Sequence, residues 1–455
     1  MLLYENCLQR TSFLLGKIGV YYTLNLYLHR EVLFMFENRR EIMQDVFLTY
    51  LPAQRFKTSR LTLQLITPLR RDTAAANALL PAVLRRGTVR CPDMESLSAA
   101  LDTLYGASID YTVRKKGERQ CVGFAAGFID DGFTPHGEKL LEPVAQLLGE
   151  LLLEPVTHGG RFLREYVDSE KANLIDAIRA LKNDKRDWAD IRLMQEMCAG
   201  EPYSVLRLGD EESAGRINNL SLYTHGRELM ASSRVELIYC GGAEEKRVED
   251  AVLSALAELP RGAQAELPPV QRVAAPAETR RIVETMDVTQ GKLAMGYRCT
   301  SDDYPAMVLA NLIFGGTSNS KLFMNVREKL SLCYYASSSY ARSKGILTVS
   351  SGVETKDFER AEEEIGRQLY AVQQGDWDEW EQEGALQAIR ASLLSLSDSQ
   401  GALENFYLGQ IAAGAEETPE ELAAALQEVT KERIVAAART VTPDTVYFLR
   451  GKEEA

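Results

Sequence analysis

The predicted elements of residues 44–260 recur in the same order in residues 280–455, and this internal duplication restricts the possible folds most strongly. In each half an apolar strand is followed by helices, a hairpin, an amphipathic helix, a longer helix and a closing strand. The closing strands lie at residues 235–239 and 445–449. The two units are about 215 and 175 residues long. We therefore predict an α+β fold of two tandem homologous domains, each a mostly antiparallel sheet packed with helices.

One amphipathic helix in each half gives the clearest match between the two units. Apolar residues recur at helical spacing between residues 140 and 152, and again between residues 358 and 372. The match is one of element order, with little residue identity between the halves. The apolar positions are Leu140, Leu141, Val144, Leu147, Leu148, Leu151 and Leu152 in the first unit and Phe358, Ala361, Ile365, Leu369 and Val372 in the second.

The segment between the two units has the composition of an extended linker. Pro268, Pro269 and Pro276 stand there among alanine, glutamine and glutamate residues. We predict a first domain at residues 44–260, a linker at residues 261–279 and a second domain at residues 280–455.

Residues 1–43 are assigned to an N-terminal extension of uncertain status. Residues 11–28 are mostly apolar but are interrupted by Lys17 and Asn25, and the run is short for a membrane span. The residues that follow offer no small-residue cleavage site of the kind that ends a signal peptide. We expect an extension translated from an early methionine, with a native start near Met35 or Met43. A membrane anchor is the alternative.

Charge and cysteine content limit the classes of partner and the compartment. The chain has 52 basic and 65 acidic residues, a net charge of −13, which argues against nucleic acid or an anionic membrane as the main partner. Its seven cysteines are odd in number and include no C-x-x-C pair, so reduced thiols and a cytoplasmic location are expected. Only four histidines occur, and no two are within ten residues of each other, which leaves little material for a helix-borne metal site.

The strongest local motif lies in the second half. A small-residue loop at residues 315–320 leads into Lys321-Leu322-Phe323, and Arg327-Glu328-Lys329-Leu330 follows, with Tyr334 seven residues after the arginine. This pattern resembles the pitrilysin/insulinase family of zinc peptidases over essentially all of residues 44–455. The resemblance implies a clam-shaped arrangement of two pitrilysin-like domains. It also implies that Arg327 and Tyr334 bind the substrate backbone near the scissile bond, because a guanidinium and a phenol both donate hydrogen bonds to a peptide carbonyl. The alternative is an exposed helix arginine and a core tyrosine.

The zinc motif of that family is absent at the matching positions. Active members carry H-x-x-E-H, in which two histidines on one helical face hold zinc and the glutamate activates its water. With the alignment anchored on Gly87-Thr88, the histidines fall on Ala78 and Ala82 and the glutamate on Pro81. The segment of the third ligand matches around Glu170, which we expect to lie on a solvated helix face. These four residues form a degenerate zinc site in domain 1, and no cofactor is expected.

The resemblance then implies a role for the chain. In several branches of the family two-domain chains pair as heterodimers, and one chain carries zinc while its partner lacks it. We expect a catalytically inactive, substrate-binding subunit of a heteromeric zinc peptidase, with a zinc-bearing relative as partner and a peptide or unfolded polypeptide as substrate. On this reading the chain alone is not an enzyme, and zinc is expected only in the catalytic partner. The alternatives are a peptide-binding or scaffold protein with no proteolytic role, and an active enzyme with a displaced zinc site.

Three short segments carry a narrower resemblance. Residues 55–59, 104–107 and 183–185 resemble a bacterial subfamily associated with modification of elongation factor P. The resemblance implies a role in that modification, beside an active zinc-bearing relative.

Two features next to Tyr334 have alternative interpretations. Cys333 is expected to be a buried small apolar residue, and a nucleophile is the alternative. Residues 337–339 are three serines in a predicted strand, which favours a polar strand edge, with peptide binding by strand addition as the alternative.

Overall fold

The computed structural model describes residues 38–269 and 271–452. The apolar stretch 11–28, and with it the predictions about an early start and a membrane anchor, lies outside these residues. Within the described ranges no helix is both long and apolar enough to span a bilayer. Residues 39–43, which the sequence analysis assigns to the extension, form an edge strand of the first sheet, so that sheet begins upstream of residue 44.

The first sheet has six strands in the order β1-β2-β6-β3-β5-β4. Only β2 and β6 run parallel, and the other neighbours are antiparallel. The central strand β3 is almost completely buried, as expected for a strand covered on both faces. The strands are β1 (Arg39–Met43), β2 (Val46–Pro52), β3 (Thr58–Pro68), β4 (Ser108–Lys116), β5 (Arg119–Ile129) and β6 (Arg234–Gly241).

The second sheet repeats this topology in five strands, β7-β11-β8-β10-β9. Its single parallel pair is β7 with β11, which corresponds to β2 with β6 in the first sheet. The prediction of two homologous, mostly antiparallel α+β domains is therefore confirmed. The strands are β7 (Arg280–Thr285), β8 (Gly291–Cys299), β9 (Cys333–Ala341), β10 (Ile346–Val353) and β11 (Val441–Arg450).

The predicted helices form where caps and apolar stripes indicate them. A capping box begins the helix at Thr418, since its side chain accepts from the backbone N–H of Glu421 while the Glu421 carboxylate accepts from the backbone N–H of Thr418. The helices are α1 (Ala74–Leu84), α2 (Met94–Thr103), α3 (Leu141–Leu153), α4 (Arg164–Ala180), α5 (Lys185–Met197), α6 (Glu211–Gly215), α7 (Asn219–Ser232), α8 (Glu245–Ala255), α9 (Tyr304–Asn311), α10 (Phe358–Gln374), α11 (Glu379–Leu396), α12 (Gln400–Ala413), α13 (Pro419–Gln427) and α14 (Lys431–Ala438).

Two helical segments of the second domain have a wider form than the α-helix. The turn after α9 and the segment Leu322–Lys329 are π-helical. At the end of the second segment the N–H of Leu330 donates to the carbonyl of Asn325, five residues earlier, at 3.1 Å. Wider turns of this kind occur mostly as short insertions in helices and often at functional sites. The apolar spacing of the sequence does not distinguish them from α-helix.

Each sheet has one face covered by helices of its own domain and the other face covered by a helix of the other domain. Helix α5, from the first half, packs Ala189 and Leu193 against Ala294, Tyr447 and Leu449 of the second sheet. Helix α12, from the second half, packs on the first sheet in the same way. Its Tyr407, Leu408 and Ile411 contact Leu51, Ile66, Cys121, Ile238 and Cys240. We call this arrangement the reciprocal helix exchange.

The tips of two corresponding hairpins also meet between the domains. Lys344, in the β9–β10 turn, is almost fully buried and its ammonium lies 2.6 Å from Glu118 in the β4–β5 turn and 2.7 Å from Glu201 after α5. The same Glu201 carboxylate pairs with Arg298 of β8 at 2.6 Å. Charged groups of both halves thus form one buried network, the interdomain ion network, centred on Glu201.

Helices α3 and α8 approach closely at Gly149, and this gives a stability prediction. A Cβ at this position would lie 2.3 Å from the carbonyl oxygen of Ala255. Gly149→Ala should therefore destabilise the fold by about 2–3 kcal/mol, although alanine is normally the better helix former. At Gly366 in α10 a Cβ meets nothing within 4 Å, so Gly366→Ala should stabilise by about 0.5–1 kcal/mol. Urea unfolding of both variants checks the opposite signs, and stabilisation by Gly149→Ala would contradict the packing.

Candidate functional site

Helix α1 carries the three positions that match the zinc motif, and it is a packing helix. Ala78, Pro81 and Ala82 are buried against the core of the first domain. The helix continues through Pro81, whose carbonyl accepts from the N–H of Arg85 at 3.1 Å. Methyl groups and a proline ring offer no lone pair to a cation and no base for a water molecule. This helix face therefore cannot supply the chemistry of the family's catalytic zinc.

Glu170 lies on α4, which packs against α1, and both of its carboxylate oxygens are engaged. Its Oε1 lies 3.0 Å from Arg86 Nη1, and its Oε2 accepts from Asn173 Nδ2 at 3.0 Å. The Glu170 side chain is only 12% exposed, so the expectation of a solvated helix face is wrong. The reason is the neighbouring guanidinium, which compensates the carboxylate charge in a partly buried place.

Arg86 is the residue of this region that the sequence analysis misses. It follows Ala82 by four residues, and its guanidinium also lies over the Tyr166 ring, 4.9 Å from the ring centroid. A fixed positive charge thus contacts the carboxylate that resembles the third zinc ligand. The i, i+4 spacing from Ala82 is the only signal in the sequence that could have indicated it.

The remaining donors in the described part of the chain do not make a metal centre. Over residues 38–269 and 271–452 no group of three or more histidine, cysteine, aspartate or glutamate side chains is placed to hold a metal ion. His225 lies 2.6 Å from the Asn77 side chain, and burial lowers the pKa of its imidazole. One engaged carboxylate does not fit the donor set that zinc requires.

Arg327 and Tyr334 lie on adjacent elements of the second domain. Arg327, on the π-helical segment Leu322–Lys329, stacks over the Phe323 ring at 4.5 Å and lies 3.3 Å from Glu328. Tyr334 lies in β9, is 62% exposed and donates to Glu354 at 3.1 Å. This hydrogen bond raises the pKa of the Tyr334 hydroxyl above its ordinary value. Both donors are therefore at the surface, and each faces a carboxylate of its own neighbourhood.

The small-residue loop before these residues is explained by close packing. A Cβ on Gly315 would lie 2.6 Å from Leu322 and 2.7 Å from the hydroxyl of Ser338. Ser338 turns inward and donates to Asn311 Oδ1 at 2.7 Å. The loop thus lets the π-helical segment approach β9, which brings Arg327 to the end of the strand that carries Tyr334.

The neighbours of Tyr334 on β9 differ in exposure. Cys333 is buried, as expected for a small apolar residue, and burial raises the pKa of its thiol, which disfavours the nucleophilic thiolate. Ser337 faces α5, where its hydroxyl accepts from Arg186 Nη2 at 3.2 Å. Strand β9 is an edge strand of its sheet. No strand among the described residues pairs with the backbone N–H and C=O groups on its outer side.

Comparisons with known proteins agree on one family. The model of the Peptidase M16 inactive domain matches residues 216–389. A Bacillus subtilis protein named "Probable inactive metalloprotease YmfF" is 36% identical over 408 residues, which covers 88% of this chain and 95% of that protein. The "Uncharacterized zinc protease YmxG" of the same organism is 21% identical over 323 residues, 70% of this chain and 78% of that protein.

Solved structures show the same fold. The crystal structure of a conserved protein from Enterococcus faecalis V583 superimposes with a TM-score of 0.84 at 26% identity, covering 92% of this chain and 100% of that chain. A peptidase M16 inactive domain from Pseudomonas fluorescens gives a TM-score of 0.74 at 17% identity, over 92% and 98% of the two chains. From the extent of its match to YmfF and the loss of every residue of the zinc motif on α1, this chain belongs to the M16 peptidase family as a non-catalytic member.

Proposed function

We propose that this chain is the substrate-binding, non-catalytic subunit of a heteromeric peptidase whose zinc is held by another member of the same family. The observation that carries the proposal is a contrast between two places in the chain. The metal position is filled by alanines, a proline and an Arg86–Glu170 ion pair, whereas Arg327 is partly exposed and Tyr334 is exposed. The alternative is a peptide-binding or scaffold protein without a proteolytic role.

The exposed donors suit an extended peptide. A guanidinium offers several N–H groups in a fixed plane and a phenol offers one O–H, so together they can donate to a substrate carbonyl and to the negative charge that develops during cleavage. In the free chain Arg327 instead forms an ion pair with Glu328, and the Tyr334 hydroxyl donates to Glu354. A substrate carbonyl would replace the carboxylates.

The choice of partner is supported by the relatives. YmfF, which is named as inactive, and YmxG, which is named as a zinc protease, come from the same organism. Relatives with both kinds of name therefore occur together. A zinc-bearing homologue from the same organism as this chain is therefore the proposed partner.

A role in modification of elongation factor P is the finer part of the proposal, and sequence resemblance alone supports it. The segments that carry it have local structural roles as well. Asp184 caps α5 by accepting from the N–H groups of Arg186 and Asp187, and the 104–107 turn places Tyr105 and Gly106 at positive φ. Deletion of the gene followed by intact-mass measurement of elongation factor P tests this part. An unchanged mass distribution would remove it and leave the peptidase proposal standing.

Arg327→Ala is the test of the main proposal. The tagged chain is purified with its partner, and cleavage of an unfolded polypeptide by the pair is measured. Loss of the guanidinium should lower kcat/KM by about 10- to 100-fold, because a donor to the scissile region is lost. Lys329→Ala, which removes a neighbouring cation, should leave kcat/KM within about twofold.

A second pair of variants compares the Tyr334 hydroxyl with the hydroxyl of another exposed tyrosine. Tyr334→Phe should lower cleavage, whereas Tyr370→Phe, at another exposed tyrosine, should not. If the pair assembles and Arg327→Ala cleaves as the wild type does, the scaffold alternative replaces the proposal. Failure to recover any zinc-bearing partner would have the same consequence.

A further inference from the structure

A cavity of about 280 Å³ lies beside helix α5, and neither Arg327 nor Tyr334 lines it. It is bounded by β4, the end of α4, the exchanged helix α5 and residues 204–208. Most of its wall is apolar. The apolar wall residues are Leu181, Ile191, Met194, Leu206 and Leu208.

Lys115 brings a cation to this cavity without a carboxylate partner. Its ammonium donates to the backbone carbonyls of Tyr203 and, at 3.2 Å, Val205, and it lies 4.2 Å from the centroid of the Tyr203 ring. Among the described residues no carboxylate lies within ion-pair distance of it. Burial lowers the pKa of Lys115 to about 8, so the ammonium is still mostly charged at pH 7. An ammonium has three donors, and one remains for a ligand.

Asp190 brings a carboxylate with one free oxygen to the same cavity from α5. Ser350 donates a hydrogen bond to this carboxylate and the charge of Arg186 favours its ionised form, but its Oδ1 is buried and accepts no hydrogen bond from any described residue. Burial raises the pKa of Asp190 to about 6, so most of the population is ionised at pH 7. A buried acceptor without a donor is unfavourable, and a ligand N–H would satisfy it.

The Lys115 ammonium and the free Oδ1 of Asp190 thus line one mostly apolar cavity, which Arg207 also borders. We propose that this cavity binds a free amino acid with an apolar side chain, of the leucine or methionine type, in its zwitterionic form. Its carboxylate would contact Lys115, its ammonium would contact Asp190, and its side chain would lie against the apolar wall. The proposal is independent of the function proposed above, since it uses none of the same residues.

The site joins the first sheet to the exchanged helix α5. Lys115 belongs to the first sheet, whereas Asp190 lies on the helix that covers the second sheet. A bound amino acid would therefore contact both β4 and α5. Ligand that binds the folded chain alone raises its apparent stability, so saturating leucine should raise Tm.

Calorimetry with three probes tests each contact separately. L-leucine carries both charges, N-acetyl-L-leucine lacks the ammonium, and L-leucine amide lacks the carboxylate. We expect leucine to bind the wild-type chain, and each blocked probe to bind about 10- to 100-fold more weakly. The tripeptide Leu-Gly-Gly distinguishes a peptide N-terminus from a free amino acid, because its carboxylate lies too far from its ammonium to reach Lys115.

Two variants complete the test. Asp190→Asn should abolish the preference for leucine over N-acetyl-leucine, and Lys115→Met should abolish the preference for leucine over its amide. Asp187→Asn, an exposed neighbour on α5, should bind leucine as the wild type does. Thermal melts show whether each variant is folded. Absence of leucine binding to the folded wild-type chain, or equal binding of all three probes, would overturn the proposal, whereas tight binding of Leu-Gly-Gly would reassign the ligand to a peptide N-terminus.

Discussion

Replacement of Arg298 by methionine is expected to destabilise the folded chain by about 3 kcal/mol or more. Arg298 Nε donates to Asp444 Oδ2 at 2.9 Å, and Nη2 donates to Glu201 Oε1 at 2.6 Å and to the Met197 carbonyl at 2.8 Å. Asp444 is 1% exposed. After loss of the guanidinium, Asp444 still pairs with Arg280 and Glu201 still pairs with Lys344. Each of these two buried carboxylates has then lost one of its positively charged partners. Methionine fills much of the volume but donates no hydrogen bond.

Urea unfolding followed by circular dichroism measures this effect, and an exposed ion pair provides the control. Arg70 pairs with Asp72 at 2.7 Å, and both side chains are more than half exposed. Arg70→Met should change stability by less than about 1 kcal/mol. Arg298 and Glu201 belong to different halves of the chain. We therefore also expect both domains of the Arg298→Met variant to unfold at a lower urea concentration than in the wild type. If Arg298→Met and Arg70→Met lowered the free energy of unfolding equally, the interdomain ion network would add no net stability.

Restoration of the zinc motif should convert α1 into a metal site only when Arg86 is also removed. A threefold variant carries the family's motif on α1, with the substitutions Ala78→His, Pro81→Glu and Ala82→His. Its two histidines lie one helical turn apart. In that variant Arg86 still pairs with Glu170 at 3.0 Å and competes with the metal for the carboxylate. Addition of Arg86→Ala should raise zinc affinity by at least about 10-fold and give about one zinc ion per chain.

Zinc content by mass spectrometry and competition with a chelator measure this difference. Glu170→Gln in the fourfold variant is the matched control and should return zinc affinity to that of the threefold variant. Circular dichroism establishes that the two histidines are accommodated in the core. Equal affinity with and without Arg86 would show that its guanidinium does not block the metal position.

Much of the fold follows from local patterns in the sequence, because apolar spacing and caps act over short distances. Helices α3 and α10 lie close to their predicted bounds, residues 140–152 and 358–372. Helix α5 is missed because its apolar stripe is narrow, with Ala189, Leu193 and Met197 buried in an otherwise polar sequence. Its stripe packs on a sheet made about a hundred residues later, and no local pattern indicates such a distant surface.

The candidate site shows the same division. Comparison with a motif locates Ala78, Pro81 and Ala82 because they are close in sequence. The Arg86–Glu170 pair joins residues 84 positions apart, so its distance and burial come from the packing of α4 on α1. Sequence alone thus predicts that the metal ligands are absent, whereas the structure shows which group occupies their place.

The reciprocal helix exchange has a consequence for biosynthesis. When β6 has been translated, the apolar outer face of the first sheet has no cover, since Gln400 of α12 contacts the Cys240 carbonyl from 160 positions further along the chain. Helix α5 is also made well before β8 and β11, on which it packs. Domains generally fold in order from the N-terminus as a ribosome makes them. This nascent chain instead leaves the outer face of its first sheet uncovered until α12 has been made, and the apolar stripe of α5 uncovered until β8 and β11 have been made, so neither domain can complete its packing before the second half is translated.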